Sequence, residues 1–587
     1  MSKIASEVLI ERLLDWGVDT IFGLPGDGIN GIMEGIRRHK DRMRFVLVHH
    51  EEAAAFMATG YAKSTGRLGV CLATSGPGGI HLLNGLYDAK LDHMPVLAIT
   101  GMQESMLLGT GYQQEVHLEK LYEDVAEYDV MIHVPVQITT VVDLAVRTAL
   151  AHRTVSHITI PVDVQMADAD LNPYSGTNSA PARRPQTAPI FIPAPGVPRD
   201  RDLDRAAEVL NRGQKVVILA GAGAIGSREE LGQVADLLDA PIVKTLSGKS
   251  SFPDHDPRCI GGIGLLGTEP SENAMADCET LLMVGTNFPY TKHLPENAIT
   301  VQIDASAVRA GNRVPTEVPL VGDARETLQA LIPRLERREP GKRTTRIREQ
   351  MDAWWKKMQA LEDQSREPIQ PQYLAHLIDK HASSDAILSC DSGTIATWGA
   401  RHFAIRDDRL FMLSGNLATM APGLPYTIAA QWSHPQRQCI AFVGDGGFAM
   451  LMAEWLTAVR HGLPIKVFIN NNHCYGQILW EQMALGFPEF GVRHSGIADF
   501  AAFARANGGL AFRIESPGDL EAAVQGALAH PGPALVDCLT NPDEPPMPPK
   551  VSYEQAKGLA TAFLKGQPHR VGIASTLFRD KLDEFRS

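Results

Sequence analysis

Cysteine is scarce in this sequence, with seven residues among 587, and no two of them form a Cys-x-x-Cys pair. An odd, dispersed set of cysteines does not indicate a disulfide framework or a structural zinc site, so a reducing, cytosolic setting fits best. No run of about 18 apolar residues occurs, and Glu7, Glu11 and Arg12 interrupt the stretch where a signal peptide needs its apolar core. The sequence therefore predicts neither a membrane-spanning helix nor a secretory signal.

Positively charged residues are also fewer than negatively charged ones. The chain has 55 Lys and Arg residues against 68 Asp and Glu residues, which gives a net charge of −13. Such a molecule repels phosphate backbones and anionic lipid, so we expect no nucleic-acid partner. The 44% of hydrophobic and 21% of charged residues are ordinary for a globular protein. The length suggests about three to four domains of roughly 150 residues.

Short runs of Val, Ile and Leu alternate with segments of helical length along most of the chain. This pattern is typical of parallel β-sheets built from βαβ units. A proline-rich stretch at 173–198 and a basic stretch at 334–348 cannot continue a sheet, and we interpret both as linkers. We therefore predict an α/β protein with three parallel-sheet α/β domains. The predicted domains are residues 1–172, 195–335 and 365–545, and a C-terminal tail follows at 546–587.

The strongest candidate site lies where two of the apolar runs end. One run is followed by Gly444-Asp445-Gly446-Gly447 and a helix of about 449–461, and the next run ends at Asn470-Asn471-Asn472. A lone Gly-Asp-Gly is more often a turn than a metal site. Here the glycines would let a diphosphate approach a helix N-terminus, while carboxylate and amide oxygens are ligands that Mg²⁺ prefers. The strand–helix–strand context therefore predicts a magnesium and diphosphate site with Asp445 and Asn472.

This arrangement resembles the thiamine diphosphate (thiamine pyrophosphate) enzymes of the pyruvate oxidase and acetolactate synthase family, in particular the bacterial quinone-linked pyruvate dehydrogenases. The resemblance covers nearly the whole chain. It implies pyrimidine-binding, central and diphosphate-binding domains, with thiamine diphosphate and Mg²⁺ as cofactors. The implied metal ligands are Asp445, Asn472 and the backbone carbonyl of Cys474. The implied contacts to thiamine diphosphate are Gly26, Ser75, Gly76, Asn84, Gly393, Thr394, Gly444, Gly446 and Gly447.

The resemblance also implies three catalytic residues. Glu51 opens an alanine-rich helix, where a carboxylate would complement the helix N-terminus in any protein. In the family, the residue at this position binds the aminopyrimidine ring of the cofactor and promotes loss of the thiazolium C2 proton. Gln114 is implied to approach the reactive carbon of the cofactor. Met420 is implied to wedge between the two cofactor rings, although methionine is also a common core residue.

The central domain contains a formal GxGxxG segment that starts at Gly221. The next predicted strand, 241–245, is not followed by the acidic residue that a nicotinamide site needs for the ribose, so this segment does not favour NAD. The resemblance implies FAD in this domain instead. The implied FAD contacts are Gly221, Gly223, Gly264, Gly285, Thr286, Asn287, Asp304 and Asp323.

The function implied by the resemblance is oxidative decarboxylation of pyruvate with FAD as the first electron acceptor and quinone, or another acceptor, as the next. It further implies a homotetramer made of dimers, with thiamine diphosphate held between the N-terminal domain of one chain and the C-terminal domain of its partner. Two alternatives stay open. One is a carboligase that forms acetolactate- or acetoin-type products from 2-keto acids, and the other is a non-catalytic member of the family.

The C-terminal tail leaves two interpretations. Five large apolar side chains fall near one helical face, as in a lipid-activated helix that would bring a cytoplasmic protein to the inner face of the membrane. These residues are Ile573, Leu577, Phe578, Leu582 and Phe585. The charges between Arg579 and Arg586 cancel, so a helix that packs on its own protein is favoured.

Overall fold

The computed structural model describes residues 3–169, 187–193, 196–494 and 498–586. These residues form three six-stranded sheets in which every strand pairing is parallel. The predicted fold class is therefore confirmed. Most of the predicted linker at 173–198 lies outside the described residues, and the domain bounds stay a prediction.

The first sheet belongs to the N-terminal domain. Its strands are β1 (Thr20–Gly23), β2 (Arg44–Leu47), β3 (Gly69–Ala73), β4 (Val96–Met102), β5 (Tyr128–Met131) and β6 (Val155–Pro161). Its helices are α1 (Ala5–Asp15), α2 (Asn30–Arg38), α3 (Glu51–Thr65), α4 (Pro77–His81), α5 (Leu83–Leu91), α6 (Leu118–Tyr122), α7 (Ile138–His152) and α8 (Val162–Met166). The strand order is β2-β1-β3-β4-β6-β5. The central strands β3, β4 and β6 are buried along their whole length, which explains their continuous apolar sequences.

The second sheet belongs to the central domain. Its strands are β7 (Val216–Ala220), β8 (Ile242–Lys244), β9 (Cys259–Gly262), β10 (Thr280–Val284), β11 (Ile299–Asp304) and β12 (Val318–Val321), in the order β12-β11-β10-β7-β8-β9. Its helices are α9 (Asp200–Arg212), α10 (Arg228–Leu238), α11 (Glu269–Ala276) and α12 (Ala324–Leu331). A long helix, α13 (Lys342–Leu361), follows and buries Trp354 and Met358 against this domain. The basic stretch at 334–348 is therefore only partly a linker, because its second half is the start of α13.

The third sheet belongs to the C-terminal domain. Its strands are β13 (Ile387–Cys390), β14 (Leu410–Met412), β15 (Cys439–Gly444), β16 (Lys466–Asn471), β17 (Leu510–Ile514) and β18 (Ala534–Leu539), in the order β14-β13-β15-β16-β18-β17. Its helices are α14 (Pro371–His381), α15 (Thr394–His402), α16 (Gly423–Ser433), α17 (Asp445–Leu451), α18 (Glu454–Arg460), α19 (Gly476–Ala484), α20 (Phe500–Ala506) and α21 (Pro517–Ala529). The single helix predicted at 449–461 is wrong. The chain forms two helices there because Trp455 and Leu456 donate hydrogen bonds three residues back, which breaks the α-helical pattern.

The N-terminal and C-terminal domains share one continuous core. Helices α3 and α16 lie so close together that a Cβ atom on Gly60 would lie 2.8 Å from the Cα atom of Tyr426. At the same contact, the buried Lys63 ammonium group donates to Asp92 at 2.6 Å and to the Tyr426 hydroxyl at 2.9 Å. The loops at the ends of the two sheets are therefore held in a fixed relation to each other.

The tail forms two helices, α22 (Tyr553–Leu564) and α23 (Arg570–Arg586). Ile573 is fully buried in a small core with α19, whereas Phe578 is 66% exposed. Arg366 of the main body pairs with Asp580 of α23 at 2.7 Å. The favoured interpretation of the tail as a packing helix agrees with these contacts, and the side chain of Phe585 lies outside the described residues. Within the described ranges, every helix is too short or too polar to cross a bilayer.

Candidate active site

The C-terminal half of the candidate site lies at the ends of two neighbouring parallel strands. Strand β15 pairs with β16, and Asp445 and Asn472 are the first residues beyond them, as the sequence predicts. Asp445 also begins α17 and is 4% exposed. Burial raises the pKa of its carboxyl group to about 7, although backbone N–H groups of Gly446 and His473 oppose the rise. A bound cation would stabilise the charged form of such a carboxylate.

The turn after β16 supplies further oxygen atoms. The Asn472 side-chain oxygen accepts a hydrogen bond from the Cys474 backbone N–H at 3.2 Å. Two more amide oxygens, on Asn470 and Asn471, are buried and have no hydrogen-bond partner among the described residues. Burial raises the pKa of the Cys474 thiol to about 12, and the predicted ligand atom of this residue is its backbone carbonyl oxygen. An all-oxygen donor set with unused acceptors fits Mg²⁺.

Helix N-termini surround the same place. Helix α15 begins at Thr394, directly after Gly393. The φ of Gly393 is +114°, a backbone conformation that residues other than glycine rarely adopt. Helix α19 begins at Gly476, where an added Cβ would lie 3.1 Å from Thr394 and 3.2 Å from the Asn472 amide nitrogen. An added Cβ on Gly393 or Gly444 would meet open space. Backbone N–H groups at converging helix starts suit a diphosphate.

Met420 lies beside the start of α17. An added Cβ on Gly446 would lie 3.3 Å from the Met420 methyl group, and one on Gly447 would clash with the Asp391 carboxylate. Asp391 accepts a hydrogen bond from the Gly423 backbone N–H at 2.8 Å, and burial raises the pKa of its carboxyl group to about 7. Asp391 thus ties the loop that carries Met420 to the end of β13. Sequence reasoning assigned Asp391 no role and missed this contact.

The N-terminal half of the candidate site is built around Glu51. This residue is the first of α3, is 6% exposed, and places one carboxylate oxygen 3.4 Å from the position of an added Cβ on Gly78. The other oxygen lies 2.9 Å from Nδ1 of His81. The His81 ring stacks on the ring of His50 at 4.6 Å. Sequence reasoning missed His81, and the only indication in the sequence was that it lies one helical turn beyond the Gly-Pro-Gly segment, Gly76-Pro77-Gly78.

The remaining predicted residues of this half lie around the same loop. Gln114 has a φ of +60° and lies against Gly76, while its side-chain oxygen is 3.4 Å from the Ser75 hydroxyl. Gly26 packs so closely on the Thr74 side chain that an added Cβ would lie 2.5 Å away. Asn84 donates to the Glu52 carboxylate at 2.6 Å and approaches Thr419 of the C-terminal domain at 3.3 Å. The structure thus brings these N-terminal residues together around one loop, and Asn84 also contacts Thr419 of the C-terminal domain of the same chain.

Some of the predicted FAD residues of the central domain are explained by packing within the protein, and others could contact a ligand. Gly221 and Gly223 pack directly on Gly285 and Thr286, and Gly223 N–H donates to the Gly285 carbonyl at 2.9 Å. This packing requires small residues whether or not a cofactor binds. Gly264 has a φ of +91°. Asp304 accepts a hydrogen bond from the Ser306 backbone N–H at 2.8 Å, and Asp323 is the N-cap of α12. The Asn287 side-chain oxygen is buried without a partner among the described residues, which leaves an acceptor for a ligand.

Comparison with known proteins gives three matches to family models. They are the N-terminal thiamine pyrophosphate-binding domain (residues 4–121), the central domain (203–331) and the C-terminal thiamine pyrophosphate-binding domain (391–538) of the thiamine pyrophosphate enzymes. YdaP of Bacillus subtilis, which its name describes as containing thiamine pyrophosphate, is 38% identical over 563 residues, 96% of each chain. Pyruvate oxidase of Lactiplantibacillus plantarum is 32% identical over 95% of this chain and 92% of the relative. Acetolactate synthase of Arthrospira platensis is 31% identical over 91% and 94% of the two chains.

Proposed function

Because the chain belongs to the thiamine pyrophosphate enzyme family, we propose that it oxidatively decarboxylates pyruvate with FAD and passes the electrons to a quinone. The observation that carries this proposal is that one chain supplies both halves of a site, the buried Glu51 carboxylate and the Asp445–Asn472 pair at two strand ends. A protein that kept only the fold would not need two buried acids at these places, because burying a carboxylate is costly.

Asp445, Asn472 and the Cys474 carbonyl would hold Mg²⁺, and the helix starts at Thr394 and Gly476 would face the diphosphate. Bound thiamine diphosphate supplies a nucleophilic carbon and an electron sink for decarboxylation. Glu51 would hold a proton on the oxygen that faces Gly78, while His81 fixes the other oxygen.

Exposed apolar side chains beside both half-sites support a dimer. Ile80, next to His81, is 45% exposed, and Met450 of α17 and Ile478 of α19 are 53% and 47% exposed. Exposed large apolar side chains beside a polar site are typical of surfaces that a second subunit covers. We therefore propose that the cofactor lies between the N-terminal domain of one chain and the C-terminal domain of its partner.

FAD is proposed for the central domain because the Asn287 side-chain oxygen is buried without a partner among the described residues and Gly264 has a positive φ of +91°. Both follow strands of one parallel sheet, where ligands of such sheets bind. When bound, FAD supplies two-electron oxidation.

Product analysis tests the proposal. The protein is loaded with thiamine diphosphate, Mg²⁺ and FAD and given pyruvate with a soluble quinone. Acetate and carbon dioxide in equal amounts, with reduced quinone, are expected. Acetolactate or acetoin without quinone reduction would show a carboligase instead. Protein that binds no thiamine diphosphate would be a non-catalytic family member.

A further inference from the structure

A buried carboxylate of the C-terminal domain binds the backbone just before Glu51. Glu454, the first residue of α18, is fully buried. Its Oε1 accepts hydrogen bonds from the backbone N–H groups of His49 at 2.9 Å and His50 at 3.1 Å. These two peptides link β2 to α3, and the next residue along the chain is Glu51.

The second oxygen of this carboxylate is also bound. The Thr457 hydroxyl donates to Oε2 of Glu454 at 2.7 Å, and Thr457 Oγ1 lies 3.1 Å from Nδ1 of His49. Burial raises the pKa of the Glu454 carboxyl group, and these donors oppose the rise. One oxygen of a costly buried acid thus binds a turn of the N-terminal domain, and the other binds Thr457 of the same helix, which itself contacts His49 of that turn.

That turn sets the direction of the Glu51 side chain. His50 is the N-cap of α3, with extended φ and ψ of −148° and 137°, and its ring accepts the Glu52 N–H at 3.2 Å. Helix α3 can begin at Glu51 only if His50 keeps this conformation. Without Glu454, the His49 and His50 N–H groups would need other acceptors, and the turn would be free to rotate.

We propose that Glu454 is a positioning residue, which acts through the peptides of His49 and His50 to hold Glu51 against Gly78 and His81. This inference rests on the proposed function, because it assigns Glu454 to the residue that exchanges the proton of the cofactor. Glu454 itself is not a catalytic residue, since it acts on the backbone of His49 and His50 and on the Thr457 hydroxyl.

Two substitutions separate hydrogen bonding from packing. Glu454→Gln keeps an oxygen that accepts both N–H groups, and its amide can donate to Thr457. Glu454→Ala removes the acceptor. In the protein without cofactor, amide hydrogen exchange of a peptide covering His49 and His50 should be about tenfold faster in Glu454→Ala and unchanged in Glu454→Gln. Equal exchange in both variants and the wild type would overturn the proposal.

Kinetics test the link to Glu51. Glu454→Ala should lower kcat by about tenfold with a change in KM for pyruvate of less than about threefold, and Glu454→Gln should restore most of the loss. In a Glu51→Gln background, Glu454→Ala should add less than about a twofold further loss. Losses that multiply in the double variant would show that Glu454 acts elsewhere.

The outcomes distinguish this inference from the proposed function. If Glu51→Gln itself leaves exchange of the cofactor C2 proton unchanged, the proposed function fails. If Glu51→Gln blocks that exchange but Glu454→Ala does not slow it, only the role of Glu454 fails. Should Glu454→Ala not fold, Thr457→Val removes one donor from Oε2 and should give a smaller change of the same kind in both amide exchange and kcat. No change in either quantity would overturn the proposal.

Discussion

Nδ1 of His81, the last residue of α4, lies 2.9 Å from Oε2 of Glu51, the first residue of α3. This contact leaves one oxygen of the carboxylate facing Gly78 and holds the other. A proton-transfer group is effective when its position is fixed. His81→Ala should therefore lower turnover by about three- to tenfold, whereas His81→Gln, which can still donate to Glu51, should lower it less. Steady-state rates of the two variants check this prediction, and equal rates would contradict it.

Glu51→Gln should lower turnover by about 100-fold or more, because the amide cannot exchange the proton. The fold and metal binding should be unchanged. Glu52→Gln is the matched control, since it alters the neighbouring carboxylate, whose partner Asn84 can donate to the new amide oxygen as well. Turnover and the exchange rate of the cofactor C2 proton are measured. A Glu52→Gln variant as slow as Glu51→Gln would indicate a general effect of charge at the start of α3.

Asp445→Ala should weaken binding of thiamine diphosphate, and high concentrations of Mg²⁺ and cofactor should restore part of the activity. Cys474→Ala should leave the Mg²⁺ dependence unchanged, because this residue is proposed to contribute its backbone carbonyl and not its buried thiol. Titration of the protein without cofactor by Mg²⁺ and thiamine diphosphate checks both. A shift in affinity for Cys474→Ala as large as that for Asp445→Ala would contradict the site assignment.

Lys63→Met should destabilise the protein by about 3–5 kcal/mol, because it leaves the buried Asp88 and Asp92 without their cation. Lys3→Met is the control, since it breaks an exposed ion pair with Glu11 and should change the free energy of unfolding by less than about 1 kcal/mol. Urea unfolding of both variants provides the measurement. Similar stabilities for the two would show that the contact between the N-terminal and C-terminal domains does not depend on this charge cluster.

Ile573→Ala should destabilise the protein by about 2–4 kcal/mol, because this side chain is fully buried between α23 and the main body. Phe578→Ala, in the same helix but 66% exposed, should have an effect within about 0.5 kcal/mol. Thermal unfolding checks the pair. If instead neither variant unfolds earlier and removal of α23 abolishes a response to phospholipid vesicles, the tail is a lipid-responsive element.

Most of the correct predictions came from local sequence patterns, in which the residues lie near each other in the chain. Unbroken apolar strands predicted parallel sheets, and the spacing of Asp445 and Asn472 placed both at adjacent strand ends. The break between α17 and α18 was not predictable, because Met452 and Ala453 are ordinary helix residues. Glu454 could not be assigned a role from sequence. Its partner His49 lies 405 residues away in the sequence. The contact is to a backbone N–H group, which nearly every residue type has, so the identity of residue 49 does not reveal it.

The contacts between the N-terminal and C-terminal domains were also not predictable, because they join residues far apart in the sequence. Lys63 and Tyr426 look like an ordinary surface lysine and core tyrosine in the sequence, yet they meet at 2.9 Å in the interior. The contact between His81 and Glu51 could not be predicted either, because it depends on how the Gly-Pro-Gly turn folds. The glycine motif of the central domain was weaker evidence for a cofactor, since close packing against Gly285 and Thr286 is enough to explain Gly221 and Gly223.

Anaerobic mixing with pyruvate tests the central claim most directly. The protein is loaded with thiamine diphosphate, Mg²⁺ and FAD, and flavin absorbance is followed after mixing in the absence of any external acceptor. The proposed function predicts rapid bleaching of the flavin by pyruvate in the wild type and bleaching slowed by about 100-fold or more in Glu51→Gln. Flavin that stays oxidised while the wild type consumes pyruvate, or that bleaches equally fast in Glu51→Gln, would contradict the account.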